Sequence, residues 1–432
     1  AITGSVTTRG VVIGDYEGPS PTLRGFYIQD ETGDGDPTTS DGIFVFNGND
    51  DEVSLGQVVL VTGTAAEIQD QTQISATEIS QCGSTASVTP VDVTFPVPDA
   101  NYLERFEGML VRLPQTMYVT EHFQLGRFGQ VLLSAQSELS PTGRLQQPTN
   151  VVAPGAEAIA LQNANNLNKI LVDDDLQSQN PDPIIFGRGG EPLSASNTLR
   201  GGDTVTGLVG VMTYTWAGNA ASPNAYRVRP INALGVEEAP NFVPANPRPT
   251  SPGSVGGSLR VVGMNLLNFF NTFDGLPDNV DNCSGGVGGV PMDCRGADTQ
   301  TEFDRQWPKT VAAILALDPD VIGINEIEND GYGPDSSLQE LVDRLNEATA
   351  PGTYAFIDVD TRTGQTNAMG TDAIKVGMLY KPGKVTPVGD TGALNSVTFV
   401  NGGDSGPRSR PALAQAFEEN ATGEVFIAIA NH

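Results

Sequence analysis

The stretch CRGADTQTEFDRQWPKTVAAILALDPDVIGINEIEN, residues 294–329, contains the change of period that decides the fold of the C-terminal part of the chain. From about Glu302 to Leu317, the residues Phe303, Trp307, Val311, Ile314 and Leu315 fall on one helical face, and Pro308 restricts or kinks the first turns. The run DVIGIN that follows has the length and branching of a buried strand. Working outward, LRVVGMN from Leu259 reads as a preceding strand. SSLQ (336–339) opens a second helix whose Leu338, Leu341, Val342 and Leu345 form one stripe. YAFIDVD (354–360), AIKVGMLY (373–380) and EVFIAIANH (424–432) read as further strands, so residues 258–432 are expected to form an α/β domain.

Upstream the pattern changes. Residues 1 to about 240 hold short alternating or β-branched runs cut by Gly, Pro, Asn and Asp, with no sustained helical period. GFYIQD (25–30), GIFVF (42–46), GQVVLVTGTAAE (56–67) and GGDTVTGLVGVMTY (201–214) suit half-buried strands, and their glycine kinks suggest two small barrels of the oligonucleotide-binding type. The expected division is 1–90 and 91–239 as two β-rich modules, then a Pro/Gly/Ser linker at 240–257.

Composition narrows the function. The 432 residues carry 23 basic against 52 acidic side chains, a net charge of −29, which argues against an architectural or sequence-specific DNA binder. A local basic groove, bound divalent metal and ionic screening can still admit a DNA substrate. No run reaches the ~20 apolar residues of a membrane span. The N-terminal AITGSVTTRG has no basic-then-apolar signal, so export implies a signal already removed.

Cys283 and Cys294 bracket the Gly-rich NCSGGVGGVPMDC, and a disulfide is the leading reading. A zinc site is the rival, for which two thiolates without a nearby histidine fall short of four ligands. Cys82 is then left as a free buried thiol or one paired outside this sequence. The acidic stretches DETGDGD (30–36), VDDD (172–175) and TFDGLPDNVDN (272–282) read as solvated turns, with structural Ca²⁺ as the lesser alternative, because none follows the EF-hand pattern. Of the two histidines, His122 reads as structural, whereas His432 closes an apolar strand. Glu326, emerging directly after DVIGIN, is placed as a hard-metal ligand would be.

RVVGMNLLNFF (260–270), the 294–329 stretch, DAIKVGMLYKPGKV (372–385), RSRPALAQAF (408–417) and VFIAIANH (425–432) together resemble, in order, the endonuclease/exonuclease/phosphatase (DNase I-like) superfamily. Within it the chain resembles the multidomain extracellular endonucleases of bacteria, whose accessory region GFYIQDETGDGDPTTSDGIFVF (25–46) also looks like. The ordered set is specific, whereas its short Asn and Glu motifs are weak singly. The resemblance implies that Asn265 positions the active-site network, that Glu326 holds Mg²⁺ or Mn²⁺, that Arg410 lies near the scissile phosphate and that His432 is the catalytic histidine. Asp372 and Tyr380, flanking a matched strand, are core or supporting candidates, and Asn268 reads as structural.

The sequence departs from that family after His432: the Gly-Asp-x-Asn motif and the late Asp-His pair are not present. The expected fold is therefore two β-rich barrel modules followed by an incomplete α/β two-sheet sandwich. The expectation is a portion of a longer chain, or a sheet completed by another segment, with little or no nuclease activity from these residues alone. The expected function of the parent protein is secreted, metal-dependent hydrolysis of extracellular DNA, with RNA left open. The alternatives are a phospholipid or phosphate-ester phosphodiesterase on the same fold, and a non-catalytic adhesion, matrix or nucleic-acid-binding protein. No membrane partner is expected.

Overall fold

The computed structural model describes residues 3–230, 239–275, 280–402 and 409–432; Arg408 of the RSRP motif and residues 276–279 of the third acidic stretch lie outside them. The chain divides into two compact units, residues 1–248 and 249–432.

The first unit begins with β1 (Gly4–Tyr16), β2 (Gly25–Gln29), β3 (Gly42–Phe46), β4 (Gln57–Ile68) and β5 (Gln71–Thr85), which close into a barrel in the order β1-β2-β3-β5-β4. Strands β3 and β5 run parallel and the other pairs antiparallel. A second set follows: β6 (Val91–Asp92), β7 (Leu110–Glu121), β8 (Val131–Ala135), β9 (Ile170–Val172), β10 (Thr204–Thr215) and β11 (Ala225–Arg229). Pairing of β10 with β7 closes five of these into the ring β7-β8-β9-β11-β10, with β9 and β11 parallel and β6 added beside β7. The two rings thus share one strand order.

Period-two alternation explains how they join. Along β2, Phe26 and Ile28 enter the core of the first barrel, while Tyr27 faces the other way into a cluster with Ile13, Tyr16, Phe44, Leu110 and Val211. Both faces of β2 are therefore buried. Backbone contact is close: a Cβ on Gly42 would stand 2.2 Å from the Gly108 oxygen, so only glycine fits. The region read as entirely β also contains a single helical turn, α1 (Leu125–Phe128), and a three-turn helix, α2 (Ala156–Leu167). Only Ala158 and Asn165 of α2 are buried, so no apolar stripe marks it in the sequence.

The second unit contains β12 (Val261–Phe269), the short hairpin β13 (Cys283–Ser284) and β14 (Pro291–Met292), α3 (Gln300–Leu317), β15 (Val321–Glu328) and α4 (Ser337–Ala348). After them come β16 (Ala355–Phe356), α5 (Val359–Thr363), β17 (Ile374–Tyr380), β18 (Val385–Leu394), β19 (Ala412–Glu419) and β20 (Val425–Ala430). One sheet has the order β12-β15-β17-β16 and the other β18-β19-β20. Helices α3 and α4 cover the outer face of the first sheet through Phe303, Ile314, Leu338, Leu341 and Leu345 against Ile322 and Ile324. Each such side chain, fully buried, contributes about 1.5–3 kcal/mol. Between the sheets lie Val376, Met378, Leu413, Phe417 and Ala428.

Both helices start on side-chain caps, with Thr299 accepting from the Glu302 N–H and Ser336 from the Gln339 N–H. Pro308 sits inside α3 without ending it. The strand expected at 354–360 is only two residues long. Asp358 accepts from the Thr361 N–H at 2.9 Å, and this cap turns the chain into α5. No helix among the described residues is long and apolar enough to cross a membrane.

Candidate active site at the sheet ends

Two adjacent irregularities shape the C-terminal end of the first sheet. The β12–β15 register slips between Asn265 and Phe269, and the β15–β17 register slips between Ile324 and Ile327. Bulges of this kind re-aim side chains. Leu267 and Asn268 take positive φ values of 56° and 57°, and Glu326 takes 61°. A left-handed glutamate is backbone strain of about 1–2 kcal/mol, held by its surroundings. On β12 the holding groups are visible: Asn265 Oδ1 accepts from the Leu267 N–H at 2.8 Å, and Gln306 Nε2 of α3 donates to the Leu267 and Asn268 carbonyls at 3.1 and 3.2 Å.

The strained glutamate faces the second sheet. Its Oε1 lies 3.2 Å from His432 Nε2, just beyond β20, and both side chains are largely shielded. Arg410, entering β19, donates its backbone N–H to the His432 carbonyl at 3.1 Å. Asn265 pairs in register with Asn325, one residue before Glu326, and both line a cleft of about 580 Å³ with Asn431. The structure therefore brings Glu326, His432 and the Arg410 backbone together, with Asn265 one ladder step away.

A second feature adjoins Arg410. The Asp372 carboxylate bridges two guanidinium groups, Arg295 Nη1 at 3.0 Å and Arg410 Nη2 at 3.0 Å. Arg410 Nε is buried without a hydrogen-bond partner among the described residues, a donor left for an acceptor they do not supply. Together with Asn395 and Ser409 these groups line a cavity of about 260 Å³. Asn329 Nδ2 fixes the Asp372 loop by donating to the Gly370 and Asp372 carbonyls, each at 3.0 Å. The Cys283–Cys294 disulfide is present and immediately precedes Arg295.

Beneath the site, the buried Glu328 carboxylate accepts from the Asn271 and Thr272 N–H groups at 3.0 and 3.2 Å and from Ser337 Oγ at 2.7 Å, tying β12, β15 and α4. Burial pushes the Asp330 carboxyl up to about 6 against the opposing pull of Lys375, whose own value burial lowers. Sequence reading did not single out Arg295, Gln306, Glu328 or Asn329. All four lie in the decisive 294–329 stretch, but their partners sit on other segments.

Other candidates stand apart. Tyr380 pairs with Val321 at the opposite end of β15 and packs on Phe417 at 5.5 Å, away from Glu326. His122 is exposed in a turn of the first unit. Cys82 is an exposed free thiol rather than a buried one. In the 30–36 stretch, Asp30 and Asp34 accept from the N–H groups of Thr32, Gly33 and Asp36. Asp173 pairs with the buried Arg227 and Arg229 at 3.0 and 3.2 Å. Among the described residues no three His, Cys, Asp or Glu side chains converge as a metal cage. Glu326 fits a hard divalent ion at its minimum of one carboxylate, the remaining positions falling to water and substrate oxygens.

No family model matches the sequence, and no curated protein matches it. Among solved structures the chain is similar to the human nocturnin catalytic domain with bound sulfate, at 16% identity over 31% of this chain and 44% of that one, with a TM-score of 0.21. It is also similar to an endonuclease/exonuclease/phosphatase from Beutenbergia cavernae, at 21% identity over 40% of this chain and 38% of that one, with a TM-score of 0.20. The chain thus spans less than half the length of each.

Proposed function

We propose that the second unit belongs to a secreted, divalent-metal-dependent phosphodiesterase that cleaves extracellular DNA, with RNA as the further substrate to test. We read its two sheets and helix layer as part of a DNase I-like sandwich, and the two upstream rings as oligonucleotide-binding-type barrels, supported by their shared order of five strands. The observation that carries the reading is the strained Glu326 held 3.2 Å from His432 across the sheet ends, beside an arginine pair.

In this reading Glu326 holds Mg²⁺ or Mn²⁺, which supplies charge neutralisation to the phosphoryl oxygens when bound. His432 Nε2, oriented by Glu326, is available to move a proton at the reacting oxygens. Arg410 and Arg295, spaced by Asp372, offer guanidinium donors to phosphate. Asn265 and Asn325 supply uncharged polar groups to the cleft wall. Acidic loops as structural Ca²⁺ sites remain a separate proposal with no cage among the described residues behind it.

The test is cleavage of supercoiled plasmid, RNA and a phospholipid by the full-length protein with Mg²⁺, Mn²⁺ or a chelator. Metal-dependent DNA nicking that falls at least about 100-fold in Glu326→Gln and His432→Ala supports the proposal. DNA nicking unchanged by both variants, or turnover of phospholipid alone, rejects it.

A further inference from the structure

The first unit holds a groove of about 400 Å³ between its two barrels, within the size range of small-ligand sites. Its floor is Tyr27, whose buried hydroxyl accepts from Gln71 Nε2 at 2.6 Å. Half-buried rings form the walls: Phe46 from the first barrel, and Tyr214 and Trp216 from the second. Tyr214 is braced by Tyr226 at 4.9 Å between ring centroids.

The walls are also fixed to one another. Asn224 Nδ2 donates to the Gln69 carbonyl at 2.5 Å, joining the β4–β5 turn to the loop before β11, and the Gln177 N–H donates to the Pro21 carbonyl at 2.7 Å. A rigid groove loses little entropy when it is filled.

Its charge selects the occupant. In a chain with 52 acidic side chains, the described residues that line the groove include no carboxylate, and Arg24 is the single cation among them. That guanidinium is already engaged, with Nε donating to Asn49 Oδ1 at 3.1 Å and the group lying 5.2 Å over the Phe46 ring. A nucleic-acid strand would need several free cations along its backbone, although its bases could stack on the same rings. The remaining polar lining is amide and hydroxyl: Gln69, Gln71, Gln73 and Gln177, with Ser75 and Thr215. Each glutamine offers two donors and one acceptor oxygen, the complement of adjacent sugar hydroxyls, and aromatic faces match the C–H face of a sugar ring.

We propose that this groove binds a short neutral oligosaccharide, with sugar rings stacked on Trp216 and Tyr214 and hydroxyls held by the glutamine amides. The site is independent of the chemistry assigned to the second unit.

Titration of the full-length protein with maltotriose, cellotriose and triacetylchitotriose, each up to about 10 mM, tests it through tryptophan fluorescence and calorimetry. The expected result is saturable binding of at least one sugar, insensitive to salt and weakened about tenfold in both Trp216→Ala and Gln73→Ala. Circular dichroism checks the fold of each variant, and Gln73→Ala carries the test if Trp216→Ala fails to fold. Three outcomes overturn the proposal: no sugar binds, binding is unchanged in Gln73→Ala, or a ten-nucleotide oligothymidylate binds in the groove instead with steep salt dependence.

Discussion

Glu326 takes a backbone conformation that glycine would adopt at no cost, yet it carries a carboxylate aimed at His432. If the strain serves function, Glu326→Gly raises the melting temperature by roughly 2–4 °C while abolishing turnover. A fall in melting temperature, read by calorimetry, would mean that the carboxylate is a structural pin. Glu107 of the first unit gives a second residue-level case. Burial is the largest influence and raises its carboxyl to about 7, while the Thr72 N–H at 3.0 Å opposes the rise. The folded state therefore holds this proton more tightly than the unfolded chain. The stability it contributes is fully present below about 4.5 and is lost as pH rises towards 7. Glu107→Gln should flatten that part of the pH–stability profile, and an unchanged slope in thermal melts would contradict the assignment.

Among the elements, β20 is an edge strand with opposite faces. Ala428 and Ala430 are buried, whereas Ile427 and Ile429 are 66% and 61% exposed. An exposed apolar edge is a template for pairing with another chain. Ile427→Lys with Ile429→Lys should leave stability within about 0.5 kcal/mol and reduce concentration-dependent association in sedimentation experiments. Elements with a strong period and a cap, α3 and α4, were legible before the fold was known. The polar α2 was not, and α5 was hidden inside an apolar run because its Asp358 cap outweighed strand propensity.

For the whole molecule, the division into residues 1–248 and 249–432 places the disulfide in the second unit alone. Reduction of Cys283–Cys294, which closes a short loop, should cost the second unit up to roughly 3 kcal/mol and leave the first unit unaffected. Differential scanning calorimetry with and without reductant checks this as a shift in one of two transitions. A single transition that moves as a whole would show that the units unfold together.

The sequence by itself determined what depends on near neighbours: the helical stripe after Thr299, the cap at Ser336, the two close cysteines, the alternation of the barrel strands and the acidic charge. Tertiary structure alone decided that Glu326 meets His432, that Arg295 and Arg410 share Asp372, and that Tyr27 and Trp216 line one groove. Those meetings depend on strand register, on bulges that turn a side chain to the other face and on the closing of two barrels against each other. A one-residue slip in register reverses which face a side chain occupies, and such long-range pairing is settled by packing across the sheets rather than by local residue order.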